Sequence, residues 1–330
     1  MIAVAVAMST ALPAIAETLR VATFNTELSR KGPGLLLRDI LKGSDVQILA
    51  VMDTIIAARP DVIALQGFDY DLENAALSAF ANGLKERGLD YPYHFAAPPN
   101  AGLQTDIDLD GDGDLSGPGD AQGYGRFFGQ GSMAVLSQHS INTSMVKDYS
   151  TILWKELPDN LFPMTQSGPF PSVAAHEIQR LSTNGIWVLP IDHPEMGRIH
   201  ILTFHASPPV FDGPEDRNGR RNHDEVAFWS HYLGGAFGPA PNEAFILMGD
   251  ANLDPNRGDG RSIAIQNILN HPALQDPAPA STTVAWPQTG KMRVDYVLPS
   301  RDWAIVDAQV APVNQAASRH SLVWVALKKP

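Results

Sequence analysis

A chain of 330 residues, 44% of them hydrophobic, is long enough for one large α/β domain or two small ones, and its composition shows no sign of global disorder. Its 36 acidic and 24 basic residues give a formal net charge of -12, the reverse of the basic stripe with which a dedicated binder of long duplexes neutralises phosphates. Cysteine is absent, which removes disulfides, thiolate zinc sites and cysteine nucleophiles together.

In chain order, the first sixteen residues, MIAVAVAMSTALPAIA, are small and apolar and end in Ala14-Ile15-Ala16, an A-x-A pattern ahead of Glu17 at which a signal peptidase would cut. The reading is a signal peptide over 1–16, without the usual positively charged start, and a mature protein in the periplasm or outside the cell. A buried first strand is the alternative. The run is too short for a comfortable membrane span, and no other stretch approaches about 20 apolar residues. An alternating strand is predicted at 19–24, a helix at 45–59 ending before Pro60, a buried strand at 61–65 and a second helix near 73–88. Further strands are predicted at 133–137, 186–190, 199–204, 245–248, 293–298 and 322–327, with helices at 222–233 and 262–270. The order is not a clean βαβ alternation, which disfavours a purely parallel doubly wound sheet. The expectation is an α/β (α+β) fold with two sheets packed face to face and helices outside, in a single domain over 17–330. Loops rich in Gly, Asp and Pro at 98–131, 206–222 and 252–262 are long enough to be binding loops.

Polar residues stand where the apolar strands end: Asn25, His205, Asp250, Asn252, Asp295 and, just before the last strand, His320. Such residues are well placed to converge on one mouth of a sandwich. Phe24-Asn25, Pro60-Asp61-Val62-Ile63-Ala64-Leu65-Gln66, Gly249-Asp250-Ala251-Asn252, Arg293-Val294-Asp295-Tyr296-Val297 and Arg319-His320 occur in one order across nearly the whole mature chain. In that order they resemble the endonuclease/exonuclease/phosphatase superfamily, which includes apurinic endonucleases, DNase I-like nucleases, sphingomyelinases and inositol-phosphate phosphatases. The resemblance, with a bacterial secreted subgroup in particular, implies a DNase I-like four-layer sandwich of two mixed β-sheets with helices outside. It also implies a mechanism: His320 as general base held by Asp295, Asp250 orienting the attacking water, Asn252 and His205 on phosphate oxygens, and Asn25 helping to hold Mg²⁺ or Mn²⁺.

Two positions depart from the family pattern. The metal-binding glutamate expected after Leu65-Gln66 is Gly67, and the expected Ser-Asp-His reads Ser318-Arg319-His320. Glu27, two residues past Asn25, and Asp69, two past Gly67, have the parity to replace the missing carboxylates.

Asp106, Asp108, Asp110, Asp112 and Asp114, with Gly111 at the sixth place, match the start of a calcium loop, and Asp120 could close the shell in place of the missing Glu. A structural Ca²⁺ is therefore expected, against the alternative of a solvated acidic loop. Arg217 and Arg220, in the loop after His205, are phosphate-binding candidates, with pairing to Asp212, Glu215 and Asp216 as the alternative. No G-x-S-x-G, H-E-x-x-H or P-loop pattern competes with this assignment. The functional expectation is a secreted, divalent-metal-dependent hydrolase of phosphomonoesters or small phosphodiesters, monomeric and acting on a small phosphorylated substrate. A phosphate-scavenging nuclease is the alternative enzyme, with nucleic acid as a disfavoured partner; a non-catalytic phosphate- or calcium-binding module is the alternative outside enzymes.

Overall fold

The alternating run after Glu17 forms β1 (Leu19–Leu28), whose two rows of side chains enter two different cores. Ala22 and Phe24 pack with helices, whereas Leu19 and Val21 pack against a second sheet. In the computed structural model, which describes residues 17–287 and 289–329, the other helices and strands follow as α1 (Leu35–Lys42), α2 (Val46–Ala58), β2 (Val62–Phe68), α3 (Ala75–Glu86), β3 (Tyr93–Phe95), β4 (Ser132–Ser137), β5 (Ser140–Ile141), β6 (Lys147–Asp148), β7 (Met164–Thr165), β8 (Gly168–Pro169), α4 (Val173–Ile178), β9 (Ile186–His193), β10 (Gly197–His205), α5 (Arg217–Leu233), β11 (Phe245–Asp250), α6 (Ile263–Leu269), β12 (Val284–Trp286), β13 (Gly290–Met292), β14 (Asp295–Pro299), β15 (Ala304–Val310) and β16 (Val323–Lys328). The expected signal peptide at 1–16 lies outside the described residues.

One sheet runs β15-β16-β1-β2-β4-β3 and the other β14-β11-β10-β9-β5, with β6 also paired to β9. Each sheet has a single parallel pair, β1 with β2 and β10 with β11, flanked by antiparallel partners. Between the sheets lie Val21, Val62, Val135, Trp187, Ile201, Ile246, Met248, Val297 and Val325. The outer face of the first sheet packs Phe24, Ile63 and Leu65 against Leu36, Val51, Ile55 and Phe80 of α1, α2 and α3. That of the second packs Leu202, Phe204 and Leu247 against Val226, Phe228, Trp229 and Ile265 of α5 and α6. The result is four layers: helix, sheet, sheet, helix. Burying each large apolar side chain contributes roughly 1.5–3 kcal/mol against its exposed state, so this central layer is a main source of cohesion.

Local signals explain most boundaries. Asp45 caps α2 by accepting from Ile48 N at 2.9 Å, and Pro60 bars its continuation, leaving Arg59 left-handed at φ 47°. Helix α5 begins at Arg217 rather than at 222, and α1, β3 and β15 have no counterpart among the predicted elements. The exposed face of β15 mixes Ile305 and Val306 with Asp307, so the alternation that marks a half-buried strand is missing. Among the described residues no helix is long and apolar enough to cross a membrane.

Candidate active site

Side chains in a strand alternate between its faces, so every second residue continues the same row. Leu19 and Val21 open the row that ends in Asn25; Ile199 and Ile201 open the one that ends in His205. Ile246 and Met248 lead to Asp250, and Asp295 starts the row of Val297. The apolar interior between the sheets thus turns polar at one end. The parallel register sets Asn25 beside Gln66 and His205 beside Asp250, and the antiparallel one sets Asp250 beside Asp295.

The polar groups form one bonded network. His320 Nδ1 lies 3.1 and 3.0 Å from the two carboxylate oxygens of Asp295. Asp250 accepts from Asn25 Nδ2 at 2.8 Å and from the Asn252 backbone N–H at 2.7 Å. Its Oδ2 is 3.6 Å from His205 Nε2 and 3.9 Å from His320 Nδ1. Asn25, Asp250, Asp295 and His320 are all buried. Asn252 stands in a left-handed turn at φ 48°, with its side-chain amide donating to Ala206 O at 2.9 Å.

Two imidazoles in this network are driven in opposite directions. Burial works against a charge on His320, but the carboxylates of Asp295 and Asp250 outweigh it and push the ring up to about 9. Burial, then the charge of His320, pushes His205 down to about 3, so that ring is neutral. The Asn184 amide donates to its Nδ1 at 3.3 Å, which places the ring proton on Nε2 and makes that atom a donor. Burial and then the charge of Asp295 raise Asp250.

Not every predicted residue reaches this network. Asp69 accepts from the backbone N–H groups of Arg30 and Gly131 at 2.7 and 2.8 Å, so both oxygens brace loops. Glu27 does reach the mouth, but its carboxylate is bound to Arg319. Arg217 Nη1 donates to Leu109 O, and Arg220 donates to Glu215 O and Leu161 O; both side chains hold loop carbonyls. Parity and loop position predict where a side chain starts, and these contacts decide where its charge is used. In the acidic loop, Asp108, Asp110 and Asp120 bring ligand atoms within 4.8 Å of one another, whereas Asp106, Asp112 and Asp114 are outside that group.

Other contributors, Ser318 apart, carried no sequence signal. Thr283 Oγ1 accepts the N–H groups of Val294 and Asp295 at 3.0 and 3.1 Å and so fixes the carboxylate that holds His320. Ser318 Oγ accepts from His320 N at 3.1 Å and donates to Asn25 O at 2.7 Å, tying His320 to β1. Trp286 sets its ring edge-on to His320, centroids 5.7 Å apart. Asn184 is revealed only by its contact with His205. No short motif marks Thr283, Trp286 or Asn184, because each acts across a gap in sequence that folding closes, whereas Ser318 stands in the Ser318-Arg319-His320 run.

As a cation site, Asp250, Asp295 and His320 are all buried, with ligand atoms within 4.8 Å of one another, and could hold a metal ion. Around Asn25 the donor set is poorer. Gly67 offers no side chain, Asn25 Oδ1 accepts from Glu27 N at 3.2 Å, and Glu27 is engaged by Arg319. The residues there do not fit the carboxylate-held ion expected at this end.

The sequence profile of the endonuclease/exonuclease/phosphatase family matches residues 22–320. Similar solved structures include an endonuclease/exonuclease/phosphatase from Beutenbergia cavernae DSM 12333, with 16% identity and a TM-score of 0.58 over 94% of this chain and 72% of that one. A family protein from Leptotrichia buccalis C-1013-b matches at 18% identity and a TM-score of 0.54, over 94% of this chain and 99% of that one. Sphingomyelinase C from Streptomyces griseocarneus matches at 16% identity and a TM-score of 0.51, with the same 94% and 99% coverage. At such identities the likeness establishes the fold, which is the DNase I-like sandwich. No curated protein matches the chain.

Proposed function

The chain belongs to the endonuclease/exonuclease/phosphatase family of phosphoester hydrolases, and from that premise we propose that it hydrolyses phosphomonoesters or small phosphodiesters by base-assisted attack of water on phosphorus. The observation that carries this reading is the buried His320–Asp295 pair beside Asp250, Asn25 and Asn252 at one end of the sandwich. His320 Nδ1 is committed to Asp295, so proton transfer at that ring runs through Nε2. Asp250 is the carboxylate beside it that orients the water. His205, neutral and protonated on Nε2, donates to a phosphate oxygen as negative charge builds, and the Asn252 amide serves the same oxygens. Asp250, Asp295 and His320 could hold an Mg²⁺ or Mn²⁺ ion only at the expense of the base, because His320 Nδ1 is committed to Asp295.

The excess of acidic residues favours small substrates over nucleic acid, whose grip depends on counterion release from a basic surface. Bis-p-nitrophenyl phosphate, p-nitrophenyl phosphate and plasmid DNA, assayed side by side, test the proposal. Release of nitrophenolate is expected with little plasmid nicking, and His320→Ala should lower the small-ester rate by on the order of 10²–10⁴. Equal rates for wild type and His320→Ala would sink it. We also propose export, on the strength of the A-x-A end of the 1–16 run; Edman sequencing of protein recovered from the periplasm of a bacterial host should begin at Glu17.

A further inference from the structure

Next to the general base stands an ion pair that the reaction outlined above leaves unused. Arg319 donates its backbone N–H to Glu27 Oε2 at 2.8 Å and its Nε to Glu27 Oε1 at 2.7 Å, and its Nη2 donates to the same Oε1. Nη1 has no protein acceptor among the described residues, and the Arg319 side chain is 59% exposed against 23% for Glu27. The guanidinium is therefore held on one edge and open on the other.

The backbone is shaped to build this pair. Glu27 sits in the left-handed region at φ 50°, where the β1–β2 register breaks between Asn25 and Leu28. Facing that turn is Gly67, itself at φ 66°; a Cβ there would come within 2.5 Å of Asn25 Oδ1 and 2.9 Å of Glu27 N. A side chain at 67 and the present turn at 27 exclude each other. The absence of one at 67 makes room for the turn, the turn delivers a carboxylate to Arg319, and the carboxylate fixes the guanidinium of the residue that precedes His320. Gly67, Glu27 and Arg319 thus act as one structural unit. The same coupling removes the oxygen donors a divalent ion would need next to Asn25.

We propose that Arg319, positioned by Glu27, binds the substrate phosphate and supplies there the positive charge that a divalent cation would otherwise supply, so that the chain binds and turns over its ester without a resident metal. A guanidinium stays protonated at any working pH and presents a planar fork that matches two phosphate oxygens. This inference rests on the phosphoester-hydrolase reading, which it deepens, and the test separates the two.

Purified full-length protein, stripped with EDTA, is assayed on bis-p-nitrophenyl phosphate with and without added Mg²⁺ or Mn²⁺, and its binding of inorganic phosphate is measured by calorimetry in EDTA. Activity within about twofold of the metal-supplemented rate is expected. Arg319→Ala should lower kcat/KM by on the order of 10²-fold and weaken phosphate binding, with Arg319→Lys recovering only part of both. Glu27→Gln, which keeps the shape and loosens the guanidinium, should raise KM more than it lowers kcat. Turnover abolished by EDTA and restored by the ions would overturn the inference, as would phosphate binding unchanged in Arg319→Ala. Should wild type cleave no ester, the hydrolase reading fails, and the calorimetry still decides whether Arg319 is the anion site.

Discussion

His320 and His205 show how one end of a sandwich drives two identical side chains to opposite charge states. The carboxylates around His320 favour its charged form, whereas burial and the neighbouring imidazolium keep His205 neutral. A base whose conjugate acid is raised to about 9 is mostly protonated at neutral pH, so kcat/KM should rise with pH through that value. Asp295→Asn keeps a partner at Nδ1 while removing the first-ranking charge that raises the ring. The profile should then shift to lower pH and the plateau fall by on the order of 10²-fold. A pH series on both proteins checks this; an alkaline limb in the same place in the variant would show that the limb belongs to another group.

Helix α5 works as a clamp on the loops that flank His205. Glu225 accepts from Thr183 N and Oγ1 at 2.6 and 2.8 Å and from Ser207 N and Oγ at 2.6 and 2.7 Å. One turn earlier Asn222 donates to Ser207 O and Ala251 O, and Arg221 donates to Leu181 O. One face of the helix thus fixes Asn184, the residues after His205 and the turn that carries Asn252. Glu225→Ala would strand several buried donors, each costing about 1–3 kcal/mol. A loss of roughly 3–5 kcal/mol in urea unfolding is expected, accompanied by a lower kcat/KM as the Asn184–His205 contact loosens. Glu225→Gln, which keeps an acceptor, should lose less of both.

Across the whole molecule, the same shifts predict how stability responds to pH. His320 is raised in the folded state, so its contribution is complete below about pH 6.5, its unfolded value, and is lost as pH rises towards about 9. His205 is neutral in the folded state throughout that window and becomes so in the unfolded state just above pH 6.5, so it offsets little. Below it, His205 and Asp250 act in opposite directions, because a depressed imidazole loses stability as pH falls and a raised carboxyl gains it. Thermal unfolding followed from pH 6.5 to 9 should show a falling Tm, at roughly 2 °C per kcal/mol lost. The fall should be shallower in Asp295→Asn. A Tm in the wild type that holds level across the window would contradict the raised imidazole.

What the sequence determined by itself follows from its periodicities. Alternation placed the strands and the polar residues at their ends, and the rows that run from Val21 to Asn25 and from Met248 to Asp250 carry those residues into the space between the sheets. The family order of those pieces was legible for the same reason, since each is short and local. Only the tertiary structure decided where charges are spent. Glu27 and Asp69 share the parity of metal ligands, yet one is paired with Arg319, 292 residues away, and the other accepts from Gly131, 62 residues away. Asp120 joins Asp108 and Asp110 while nearer aspartates do not, and Thr283 supports Asp295 from a separate loop. Periodicity reports which way a side chain leaves its own backbone. Which partner it meets depends on segments distant in sequence, and those are brought together only when the two sheets close on one another.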